Sequence, residues 1–232
     1  MGDQYAMSNF VTRRLKKLTL KETYVRFFST LKYALYVMFH PADGDWDLIH
    51  AKRGSYAAAN FIVILTLFTQ IWRLRFTSFV VMNVYWEAVN IFKEFATILL
   101  PLAVFCICNW ALTTLFDGKG HLGDVYMGTG YALAPYPLIQ IPIIIISNFV
   151  TRDEVAFYTI FNTISIIWCA ILLFMAMMMI HQYSFGKTLL FTVFTVFGML
   201  VFIFIILLFF SMISQGVSFF VALGREIIFR LN

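Results

Sequence analysis

Charge is what this chain has least of. Asp, Glu, Lys and Arg make up 12% of its 232 residues, against about one quarter in a soluble domain. No polar stretch is long enough to hold a core of its own, which excludes a separate soluble domain. Cysteine is scarce too. Cys106, Cys108 and Cys169 lie inside apolar runs, and a lone C-x-C pair without a second pair does not form a thiolate metal site. No short apolar stretch near the amino terminus ends at a small-residue cleavage site, so no cleavable leader is expected.

What is present is apolar surface: 61% hydrophobic residues, 27 of them Phe, and a mean hydropathy of +0.84. A hydrocarbon core of ~30 Å needs ~20 apolar residues per helix. The pattern predicts an all-α membrane protein with five spans at about 54–72, 95–116, 125–150, 155–180 and 188–213. An amphipathic helix over 10–39, broken at His40-Pro41, is expected to lie along the headgroups. A second interfacial helix is expected between spans one and two. Residues 1–53 read as a cytoplasmic and interfacial region, and 54–232 as the membrane domain.

The net charge of +5 is concentrated early. Arg13, Arg14, Lys16, Lys17 and Lys21 lead the basic cluster that precedes the first apolar run. Such a cluster marks the cytoplasmic side and attracts anionic lipid headgroups. The amino terminus is therefore expected inside, and nucleic acid is not expected as a partner. Asp43, Asp45 and Asp47 alternate, but the calcium-loop glycine and glutamate are missing, so a solvated connector is expected there.

Within the proposed spans there is no Asp, Glu, Lys, Arg or His. Proton-coupled transport and hydrolysis both need such groups at depth. Neither a catalytic set nor a metal or cofactor site is expected, and His181 reads as an interfacial residue. Asn60, Gln70, Asn109, Gln140 and Asn162 suit hydrogen bonds between helices. Span three is the irregular one, with Gly130 and Ala134 at small-xxx-small spacing and Pro135, Pro137 and Pro142 to kink it. Pro135 and Pro142, seven apart, are expected on one helix face.

Gly118, Gly120 and Gly123 have the G-x-G-x-x-G spacing of dinucleotide loops. They follow a membrane span instead of a strand, and Ile143 stands where the acidic residue should be. A tight turn with positive φ at Gly118 and Gly120, followed by an Asp124 cap, is expected instead. The stretch "CNWALTTLFDGKGHLGDVYMGTGYALAPYPLI", with "FHPADGDWDLIHAKRGS" before the first span, resembles the bacterial branch of the Yip (Ypt-interacting protein) family of five-span membrane proteins. The resemblance implies fold- and partner-determining roles for Asn109, Trp110, Asp117, Gly118, Lys119, Gly120, Tyr131, Ala132, Pro135 and Tyr136. It also implies a non-enzymatic accessory membrane subunit in a bacterial cytoplasmic membrane, beside a solute importer of the ATP-binding-cassette type. The alternative is a small facilitator that uses the broken third span.

Overall fold

A computed structural model describes residues 24–82 and 89–231; side chains at 224 and 227–231 are not described. Arg13, Arg14, Lys16, Lys17 and Lys21 lie outside the described residues. All regular structure among the described residues is helical. In chain order it comprises α1 (24–39), α2 (Pro41–His50), α3 (Tyr56–Phe76), α4 (Ile91–Thr114), α5 (Leu122–Ala132), α6 (Pro135–Ser147), a 3₁₀ turn (Arg152–Glu154), α7 (Val155–His181) and α8 (Phe185–Leu231).

Among the described residues five stretches are long and apolar enough to cross a membrane: α3, α4, α5 with α6, the 3₁₀ turn with α7, and α8 as far as Leu223. The first four differ from the expected bounds by at most four residues at either end, and the fifth runs ten residues past 213. Side chains set several of the boundaries. Ser55 caps α3 through Ala57 N, and Asn90 caps α4 through Phe92 N and Lys93 N, as N-cap acceptors do.

The third span breaks where proline requires it. Pro135 stands at the first position of α6, and the chain between α5 and α6 is held by i→i+3 bonds, Ala134 N to Tyr131 O and Tyr136 N to Leu133 O. Gly130 and Ala59 are in close approach, so that a Cβ on Gly130 would lie 2.9 Å from Ala59 Cβ. The small-residue contact expected of this span is therefore made with α3. Pro135 and Pro137 are buried but Pro142 is exposed. Pro135 and Pro142 both stand on α6, seven positions apart and so nearly on one face as expected, but only the Pro135 end of that face is covered by protein.

Three other expectations are corrected. Asp43, Asp45 and Asp47 sit on a helix, not in a solvated connector: Pro41 presets the first turn of α2 and Asp43 lies within it, both favourable at a helix start. Between spans one and two, 78–82 form turns and irregular chain, and α4 begins at Ile91, so 91–95 belong to a span and not to an interfacial helix; 83–88 lie outside the described residues. Beyond residue 213 the chain does not leave the helix, and α8 runs on to Leu231. Its 47 residues make it about 70 Å long, roughly twice the hydrocarbon thickness.

The first two helices form a hairpin against the bundle. Ala34 and Val37 of α1 and Leu48 of α2 share one core with Ala58, Ala59 and Ile62 of α3 and Met127 and Tyr131 of α5. Tyr33 Oη donates to Gly44 O across the hairpin. At its tip Trp168 Nε1 donates to Met38 O, while at its open end Gln182 Nε2 meets His50 Nε2 at 3.0 Å. Trp168 and His181 are separated by about 20 Å at the α-helical rise. The hairpin therefore runs alongside α7 from the end of that helix to about its middle. Of the amphipathic helix expected over 10–39, residues 24–39 are helical, with Ala34 and Val37 packed on protein and Tyr24, Phe28, Leu35 and Phe39 exposed on the other side.

Candidate functional site

The residues of the family-like stretch converge at the helix ends on the face where α3 begins. Asn109, 2% exposed on α4, is the hub. Its Nδ2 donates to Thr195 Oγ1 of α8 at 3.2 Å, and its Oδ1 accepts from His181 Nε2 of α7 at 2.9 Å. With that proton on Nε2, the His181 Nδ1 lone pair points toward Gly120, where a Cβ would lie 3.0 Å away. Nδ1 has no partner among the described residues. The expectation of an interfacial His181 is corrected: it stands at the end of its helix but is buried by the glycine loop.

The loop is built differently from the turn expected. Gly118 and Gly120 do not take positive φ; Asp117 does, at 59°. Gly118 N donates to Thr113 O at 2.8 Å, closing α4. The glycines are needed for closeness: a Cβ on Gly120 would lie 2.3 Å from Ile180 Cγ2. Asp124 does cap α5, with its Oδ2 accepting from His121 N at 3.1 Å. Lys119 Nζ donates to Gln182 Oε1 at 2.6 Å. Tyr183 stacks on His181, its hydroxyl donates to Phe116 O at 2.9 Å, and Lys187 Nζ lies 4.1 Å over its ring. Burial, with the Asp117 charge added, pushes the Tyr183 hydroxyl up from its ordinary value.

The remaining motif residues fall into three groups. Tyr131 is fully buried, and its hydroxyl accepts from Ser55 N and donates to Thr30 O, which pins α5 to α3 and α1. Trp110 is on the outer surface of α4. Pro135, Pro137 and Tyr136 belong to the helix break and its neighbourhood; Tyr136 Oη donates to Gln70 Oε1, and Gln70 Nε2 donates to Glu94 Oε2. Deeper still, Gln140 Nε2 donates to Asn162 Oδ1 and Ser165 Oγ of α7.

Chemically, this arrangement joins helices. Thr195 Oγ1 donates its hydroxyl hydrogen to Phe191 O at 2.7 Å. It is thus held as an acceptor for Asn109. No group of three His, Cys, Asp or Glu side chains among the described residues could hold a metal ion.

Sequence reasoning missed Asp45. It is 3% exposed, its Oδ2 has no partner among the described residues, and burial pushes its carboxyl up to about 8. A signal for it was available. Pro41 followed by acids is a helix-start pattern, and on a helix Asp45 points about 200° away from Asp43.

Five apolar helices bound to one another by buried amide, hydroxyl and imidazole groups define a polytopic integral membrane protein. The Yip1 domain model matches residues 35–208, from late α1 into α8, and the chain belongs to that family. No curated protein and no solved structure matches it.

Proposed function

We propose that this protein is a non-enzymatic membrane scaffold or accessory subunit that packs against another membrane complex. One observation carries the reading. The His181–Asn109–Thr195 chain ties α4, α7 and α8 together, and its hydroxyl is already committed to a backbone carbonyl. The specific partner is a solute importer of the ATP-binding-cassette type, as the resemblance to the bacterial branch implies. The setting is the bacterial cytoplasmic membrane with the amino terminus inside, which the basic charge of Arg13, Arg14, Lys16, Lys17 and Lys21 and its attraction for anionic lipid support. Affinity purification in mild detergent tests this. A stable membrane-protein companion at fixed stoichiometry is expected, and recovery of this chain alone contradicts it.

A second reading, a facilitator, is favoured by one feature. A cavity of about 250 Å³ adjoins the helix break, lined by Thr66, Gln70, Leu133, Tyr136 and Cys169. Solute flux into liposomes that changes with Gln70→Leu supports it; no flux for any solute class removes it.

A further inference from the structure

A cavity of about 940 Å³ lies away from the Asn109 hub, between the start of α1, the α2–α3 turn and the start of α5. We propose that it binds one anionic phospholipid, with the headgroup phosphate between Arg26 and Lys52 and an acyl chain on Phe27, Leu48, Ile49 and Met127. The inference rests on this face abutting lipid headgroups, and not on the scaffold role.

Position comes first. The cavity borders Ser55 and Tyr56, where α3 enters the apolar layer, which is the level of a headgroup phosphate. Charge is the second argument. Neither Arg26 nor Lys52 has an ion-pair partner among the described residues, whereas the nearby Arg53 is paired with Asp47 at 3.2 Å. Asp124, also on the lining, has its carboxylate turned to His121 N. Two cations above an apolar floor fit a ligand that is anionic at one end and apolar at the other.

Backbone geometry is the third. Lys52 stands at φ 51° just past the end of α2, while Ala51 N and Arg53 N both return to Asp47 O. Helix ends of this kind usually place glycine at the left-handed position, because a side chain there is strained. This turn of the backbone sets Lys52 at the cavity edge. Further along α1 and α3, past the edge-to-face pair of Phe27 and Phe61, an apolar groove of about 340 Å³ runs between Leu31, Leu35, Ile62, Leu65 and Pro137. It extends the floor in the direction an acyl chain takes into the bilayer.

The test is native mass spectrometry of the full chain released from mixed micelles of phosphatidylglycerol and phosphatidylcholine. One retained phosphatidylglycerol per chain is expected, in preference to phosphatidylcholine. Arg26→Gln combined with Lys52→Gly should lower that preference by roughly thirtyfold, from the contribution of each cation near an anionic lipid. Lys52→Gly relieves the backbone, so its thermal midpoint should not fall, and lost lipid then reports on charge and not on folding. Lys187→Gln, which removes a cation elsewhere on the same face, should retain the lipid. Equal retention of the two lipids, unchanged retention by the double variant, or equal stabilisation by inorganic phosphate alone each overturns the proposal. A companion protein recovered by affinity purification is a separate readout, so the two proposals can fail separately.

Discussion

At Asp45 the sequence and the fold pull in opposite directions. Its folded pKa of about 8 lies above the ordinary 3.8. The native state therefore holds a proton that the unfolded chain releases, and stability falls as pH rises from about 4 through about 8. Asp45→Asn removes the buried charge and should raise the thermal midpoint at pH 8 while changing it little at pH 4. A tenfold difference in proton affinity between the folded and unfolded chain is worth about 1.4 kcal/mol, so a gain of a few kcal/mol is expected. Thermal denaturation in detergent across that range checks it, and parallel pH curves for the two proteins contradict it. Asn109 behaves in the opposite way. Asn109→Leu strands the His181 Nε2 proton, at a cost of ~1–3 kcal/mol, and lowers the midpoint at every pH. The sequence pointed to Asn109 because an amide inside an apolar run has few other uses. It did not reveal Asp45's burial, since three alternating acids resemble a solvated loop until Pro41 is read as a helix start.

Among elements, the hairpin of α1 and α2 is the one whose packing the sequence left open. Hydrophobic periodicity identifies an amphipathic helix and does not say whether its apolar face meets lipid or protein. Here Ala34 and Val37 meet α2, α3 and α5. Depth can be measured directly. Phe39, 66% exposed at the tip, replaced by Trp should be quenched best by lipids brominated near the bilayer centre, and Tyr24→Trp best by shallow ones. Equal shallow quenching of both would place the helix flat on the surface. The break in span three was legible, because Pro135 leaves helix geometry no choice. The fate of Pro142 was not, since burial depends on which helix stands opposite. Gly130→Leu should cost ~1–3 kcal/mol by forcing α5 away from Ala59, seen as a lower midpoint. A midpoint equal to that of the parent protein would show that the two helices do not need this approach.

Across the whole molecule, apolarity specified five spans, and the buried polar groups specify how they pack. The Asn109 hub joins the helix ends on one face, Gln140 joins α6 to α7 in the interior, and Gln70 with Glu94 and Tyr136 joins α3, α4 and α6 toward the other. Each such bond adds only ~0.6 kcal/mol, and together they fix the order of helices that apolar surfaces alone leave open. Periodicity and span count were enough to reach the architecture. The pairing of Asn109 with His181, 72 positions apart, could not be read from spacing.

The most direct test compares His181→Gln with Asn109→Leu for thermal midpoint and companion recovery. Glutamine can still donate a hydrogen bond to Asn109 but cannot exchange a proton near neutral pH. The account predicts a near-parental midpoint and full companion recovery for His181→Gln, with both lost together in Asn109→Leu. A His181→Gln protein that folds at the parental midpoint yet loses its companion would show that the imidazole does more than join helices.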